Sequence, residues 1–133
     1  METVPTPSLF RMVPQELIDA EAELLLGRYT EAWDLINSLP PGAEETSRAI
    51  VVKLMVCEAR SDWSEGEKLA GGVTRKCTPG ERQAAGRFLF ALAMARCQAS
   101  EFKLARAAVV ALCQVWPEGK ALALGSKELS VLW

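Results

Sequence analysis

The side chains with the most chemical potential in this sequence are four cysteines, Cys57, Cys77, Cys97 and Cys113, and two pairs of neighbouring carboxylates, Glu21 with Glu23 and Glu44 with Glu45. Thiolates hold zinc when they converge in close pairs, but these cysteines are separated by 20, 20 and 16 residues, with no C-x-x-C among them. The chain has no histidine, so no imidazole can activate a thiol or hydroxyl. Three of the cysteines fall in Ala/Leu-rich stretches and read as small buried hydrophobes in a reducing compartment. Cys77 differs: TRKCTPG reads as a loop, and its two basic neighbours are the setting in which a thiol becomes more reactive. No Gly-rich phosphate loop or G-x-S-x-G elbow is present, and the carboxylate pairs read as solvated faces. No catalytic residue, cofactor or metal is expected, and the chain is not read as an enzyme.

The surrounding composition favours helices. Half of the 133 residues are hydrophobic and 24% are charged, and Ala and Leu outnumber β-branched and aromatic residues. The length suits one domain spanning 1–133. Fifteen basic against seventeen acidic residues give a net charge of −2 without a basic run, so neither nucleic acid nor an anionic membrane is an expected partner. The N-terminal METVPTPSLFRMVPQE lacks a basic, apolar leader, and no later apolar run reaches the ~18 residues of a membrane span. A cytoplasmic protein is expected.

The chain is internally repetitive. Gly27 to Ala32, Ser61 to Gly66 and Ser100 to Ala105 each read small, any, aromatic, any, any, small, and each is flanked by apolar helical stretches. The aromatics lie 34 residues apart from Tyr29 to Trp63 and 39 from Trp63 to Phe102. The surplus fits the turn-rich VTRKCTPG, where extra length costs little. A helical hairpin explains the hexamer. The small residue takes a left-handed cap, as Gly27 can, the aromatic plugs the bend, and Ala32, Gly66 or Ala105 lets two helices approach closely. Asp62 and Ser100 are N-cap candidates for the second helices of their hairpins, and Pro14 suits a first helical position. Leu17, Ile18, Leu24 and Leu25 are expected on one face of the first helix, and Ala32, Leu35, Ile36 and Leu39 on its partner. Gly66, Gly71 and Gly72 weaken the second helix of the middle hairpin.

These residues resemble the tetratricopeptide repeat: a period near 34, an aromatic two residues after a small turn residue, a small residue three further on, and a closing proline. The third unit matches best, through Leu89, Leu92, Ala93, Ser100, Phe102, Ala105, Val109, Leu112 and Pro117; the first carries Ala20, Gly27, Tyr29, Ala32, Ile36 and Leu39. The second departs most, with Gly66 where alanine is usual. The resemblance implies an all-α fold: three antiparallel hairpins at about 13–41, 46–76 and 81–117, stacked as a short right-handed superhelix. A capping segment at 118–133 would cover the last hairpin with Leu122, Leu124, Leu129, Leu132 and Trp133. A plain helical bundle whose hairpins do not stack superhelically is the alternative.

The resemblance also implies a concave groove that binds peptides. In phase with the family, its lining is Leu17, Glu21 and Leu24, then Arg48, Val51, Met55 and Glu58, then Arg87, Phe90, Met94 and Cys97. The family's carboxylate clamp for chaperone C-termini is disfavoured, because Leu17, Glu21, Val52 and Ala91 stand where its lysine, asparagines and arginine belong, and only Arg87 fits. An apolar, Met-containing lining with Arg48 and Arg87 suits an amphipathic helix or hydrophobic peptide of another protein. Alternatively Met55, Phe90 and Met94 simply fill the space between hairpins. Two other readings stay open: a homodimeric structural subunit, and a small three-repeat secretion chaperone for a hydrophobic client.

Overall fold

Each of the three hexamers reverses the chain with the same backbone chemistry. In the structure, a computed structural model that describes residues 13–43 and 46–133, Gly27, Ser61 and Ser100 all adopt left-handed backbone, with φ of 78°, 57° and 60°. The following amide donates to the carbonyl five residues back in every case: Arg28 to Glu23, Asp62 to Cys57 and Glu101 to Arg96, each at 2.8 Å. These bonds satisfy carbonyls that a helix C-terminus leaves orphaned, and they turn the chain directly into the next helix. Left-handed backbone is free for Gly27 but costs an L-residue about 1–2 kcal/mol. Ser61→Gly is therefore expected to stabilise the protein by about 1 kcal/mol, readable as a raised urea midpoint at unchanged slope.

The turns join three hairpins. Helix α1 (Gln15–Leu25) pairs with α2 (Tyr29–Asn37), α3 (Ser47–Arg60) with α4 (Trp63–Gly71), and α5 (Pro79–Gln98) with α6 (Phe102–Val115). A 3-10 turn (Pro117–Gly119), the short α7 (Lys120–Leu124) and a second 3-10 segment (Glu128–Leu132) close the chain. The described residues are all-helical, without a strand, as the composition predicts. Successive first helices are neighbours, α1 on α3 and α3 on α5, and α2 and α4 each also touch the first helix of the following hairpin.

Two buried clusters result, and α3 feeds both. Ala49, Val52 and Val56 join Leu17, Ala20, Ala32, Ile36 and Leu39 of the first hairpin. Leu54 and Cys57 face the other way, toward Phe88, Leu89 and Leu92 of α5 and the α6 residues Ala105, Val109 and Leu112. A helix buried on two sides has no single apolar stripe, which is why the periodicity of this segment is weak.

The α5 helix starts at Pro79, two residues before the expected Glu81, because Thr78 and Glu81 form a reciprocal cap. The Thr78 hydroxyl accepts from the Glu81 amide at 3.2 Å, and a Glu81 carboxylate oxygen accepts from the Thr78 amide at 3.3 Å. Several sequence expectations are corrected. Ser100 is the left-handed residue that ends α5, so the N-cap of α6 is Glu101; Asp62 holds the N-cap position of α4 without a side-chain cap bond. Pro14 is the N-cap residue of α1 and not its first turn. Ile18 and Leu25 do not share the buried face of Leu17: Leu25 is 87% exposed, since it stands about 80° from Leu17 round the helix. Phe102 plugs nothing and is 45% exposed, whereas Tyr29 and Trp63 do pack against the core clusters. In the closing segment Ala123, Leu129 and Leu132 are buried, while Leu122, Leu124 and Trp133 face outward. That segment breaks at Gly125, after which the Ser126 hydroxyl accepts from the Leu129 amide at 3.4 Å.

Candidate functional site

The α1–α3–α5 row forms a cleft of about 590 Å³. One wall comes from the first turn, through Leu24, Leu25 and Tyr29; the floor is α3, through Val51, Met55, Glu58 and Ala59; the other wall is the first half of α5, through Gly80, Gln83, Ala84 and Arg87. This region exists because α3 lies between α1 and α5, and its residues at 51, 55, 58 and 59 form the stripe left uncovered by either neighbour. The lining is mainly apolar, and Met55 is 43% exposed there.

The structure brings together Leu24, Val51, Met55, Glu58 and Arg87 of the residues expected to line a groove. It separates the others. Leu17 is buried in the core of the first hairpin, packed with Ala20 and Ile36, and is not available to a ligand. Arg48 and Glu21 face each other across α1 and α3: the Arg48 Nε donates to a Glu21 carboxylate oxygen at 3.0 Å, and a second, shorter bond from Nη2 makes the pair bidentate. That hydrogen bonding raises the Arg48 pKa further above its ordinary value. As an exposed pair it contributes under about 1 kcal/mol and is screened by salt. Phe90, Met94 and Cys97 are half-buried and pack against the larger core cluster, and the Ser126 hydroxyl sits 3.7 Å from the Met94 sulfur, so the closing segment engages this stretch of α5. Leu25, Tyr29, Ala59, Gly80, Gln83 and Ala84 complete the cleft without having been singled out for it. Of these, Tyr29 carried a sequence signal as the aromatic of its turn, and Leu25 one that placed it on the apolar face of its helix.

Arg87 is set apart from most other arginines. Arg28, Arg48, Arg82 and Arg96 make ion pairs with Glu23, Glu21, Glu118 and Glu67. Arg75 and Arg82 donate to the Gln114 and Val115 carbonyls at the end of α6, at 2.8 and 3.0 Å, and Arg106 donates twice to the Leu132 carbonyl. Among the described residues Arg87 has neither kind of partner, and Glu58 likewise has no ion pair.

The groups with potential for covalent chemistry are dispersed. All four cysteines are free, and among the described residues no cluster of three or more Cys, Asp or Glu could hold a metal ion. Glu44, Glu45 and residues 1–12 lie outside the described residues. Cys77 is partly exposed and accepts a weak hydrogen bond from the Thr74 amide at 3.4 Å. Cys57 is buried between the hairpins, and burial, aided by the Asp62 and Glu65 charges, pushes its thiol from 9.0 up to about 11. Cys57 is therefore expected to be the last of the four to react with a thiol reagent at pH 8, followed by mass spectrometry of timed samples. The sign for stability is set by the unfolded chain, whose thiol ionises from pH 9 while the folded one stays protonated. This contribution to stability is constant below pH 9 and is lost between pH 9 and about 11.

No helix among the described residues is long and apolar enough to cross a membrane. Comparison with protein-family models, with curated proteins and with solved structures finds no match.

Proposed function

We propose that this chain is a non-enzymatic interaction module of tetratricopeptide-repeat type, three stacked hairpins with a closing segment, that holds a segment of another protein in the cleft formed by α1, α3 and α5. The observation that carries this reading is the cleft itself, a concave surface whose Leu24, Leu25, Val51 and Met55 side chains are apolar and have no covering element among the described residues. The repeated turn, with left-handed backbone at Gly27, Ser61 and Ser100 and one hydrogen-bond pattern, supports the repeat architecture. Burying such side chains yields about 25 cal/mol per Å² of apolar surface, the usual driving force of association. Free thiols suit a reducing compartment, which for this reading is the cytoplasm.

The test uses Met55→Asp, chosen because Met55 is already partly exposed and its loss leaves the cores intact. The variant should keep wild-type helicity by circular dichroism and lose its partner in affinity capture from the native host; undiminished capture would refute the cleft as binding surface. A second reading is favoured by the closing end of the chain, where Val131 is 64% and Trp133 54% exposed. A self-associating subunit would bury these side chains, and multi-angle light scattering showing a monomer at high concentration would remove it. A secretion chaperone for a hydrophobic client would use the same cleft chemistry, and co-purification with a strongly apolar client would identify it.

A further inference from the structure

Resting on the reading of the cleft as a binding surface, we infer that its occupant is an amphipathic α-helix carrying a carboxylate on the flank that faces α5, where Arg87 receives it. The first argument concerns backbone. The cleft is built from helices and their ends, most of whose amides and carbonyls are used within the helices, and it offers no sheet edge. Its polar side chains reduce to the Tyr29 hydroxyl, Glu58, Gln83 and Arg87. An extended peptide laid there would bring several backbone donors and acceptors into an apolar cleft with few partners, each unpaired buried group costing about 1–3 kcal/mol. A helix arrives with these groups satisfied and presents only side chains.

The second argument concerns charge. Arg48 is held by Glu21 and Arg96 by Glu67, while Arg60, which has no such partner among the described residues, is not among the lining residues, so Arg87 is the cation left to recognise an anion in this wall. Glu58 on the floor repels a carboxylate placed over α3. The acid therefore belongs on the flank toward α5, with apolar residues over Val51 and Met55 and toward Leu24 and Leu25. A guanidinium–carboxylate bond with its planar fork then fixes the register of the helix.

The experiment selects from a phage-displayed library of random peptides of about 15 residues, the length at which an isolated helix becomes marginally stable, on the full chain, on Arg87→Glu and on Met55→Asp. Selected sequences should show apolar residues at helical spacing with Asp or Glu on one flank. Selection on Arg87→Glu should replace that acid by Lys or Arg. A synthetic peptide from the wild-type selection should bind Arg87→Glu about tenfold or more weaker, and an internal proline should abolish its binding. Enriched sequences that are proline-rich or lack helical period, or an acidic flank that persists on Arg87→Glu, would overturn the inference while leaving the cleft reading intact if Met55→Asp still captures none of them. Enrichment that is absent on wild type, or equal on Met55→Asp, would overturn the cleft reading and the inference with it.

Discussion

Phe88→Ala should lower the stability of this protein by about 3–5 kcal/mol. The ring is fully buried and belongs to α5, yet it inserts into the middle hairpin: its centroid lies 5.7 Å from that of Trp63 at an interplanar angle of 52°, and it rests directly on Gly66. Removing it opens a cavity where the second and third hairpins meet. The same geometry dictates how Gly66 behaves. A Cβ on Gly66 would lie 2.2 and 2.3 Å from two Phe88 ring carbons and 3.0 Å from the Cys57 Cβ. Gly66→Ala should therefore cost about 1–3 kcal/mol in the wild type by overpacking. In the Phe88→Ala background the ring is gone and only the Cys57 Cβ contact at 3.0 Å remains, so the cost of the substitution should fall below about 1 kcal/mol, offset in part by helix propensity. Urea unfolding of the four proteins in this cycle checks both statements, and strictly additive effects would contradict the contact.

Gly86→Ala is expected to cost about 3 kcal/mol, near the top of the range for overpacked cores, and to lower Tm by roughly 10 °C. The Trp116 indole is held between two glycines. A Cβ on Gly86 would stand 2.4 Å from its Cε3 and 2.8 Å from its Cβ, and one on Gly119 would stand 2.2 Å from the same Cε3. A ring edge can swing aside, but the Trp116 Cβ moves only with the backbone, and that backbone is held by the Trp116 amide bond to the Leu112 carbonyl at 2.7 Å. Gly71→Ala is the matched control. No atom approaches a Cβ there within 4 Å, so it should be neutral or stabilising by up to about 1 kcal/mol. Thermal unfolding followed by circular dichroism separates the two outcomes, and equal effects at Gly71 and Gly86 would contradict the packing of Trp116.

Gly66 and Gly86 also mark where local reading stops. Gly66 looks like a defect in a helix when weighed by propensity, and Gly86 gives no signal at all. Each is demanded by an aromatic ring arriving from elsewhere in the chain, Phe88 from 22 residues downstream and Trp116 from 30. The candidate cleft divides in the same way. Val51, Met55, Glu58, Leu24 and Arg87 were identifiable by phase with a repeat family, because phase says which face of a helix a residue occupies. Phase could not say that Leu17 would be drawn into the first core cluster, that Glu21 would engage Arg48, or that Ser126 would meet Met94. Those outcomes depend on how far one helix slides along the next and on where the closing segment lies.

What the sequence by itself determined is the alternation of helix and tight turn. A left-handed position, the reversal after it and a small residue one turn into the next helix are short-range requirements, met within six residues at Gly27, Ser61 and Ser100. The capping reach of Thr78 and Glu81 is equally local. Only the tertiary structure decided which apolar side chains are core and which are surface. Leu17 and Leu25 are the same residue type on the same helix, and burial of one and exposure of the other follow from the direction in which α2 and α3 approach. It also decided that the arginine lining the cleft remains uncommitted, since an ion pair is settled by carboxylates from another helix. Arg48 meets Glu21 across the helix row, and among the described residues no carboxylate pairs with Arg87.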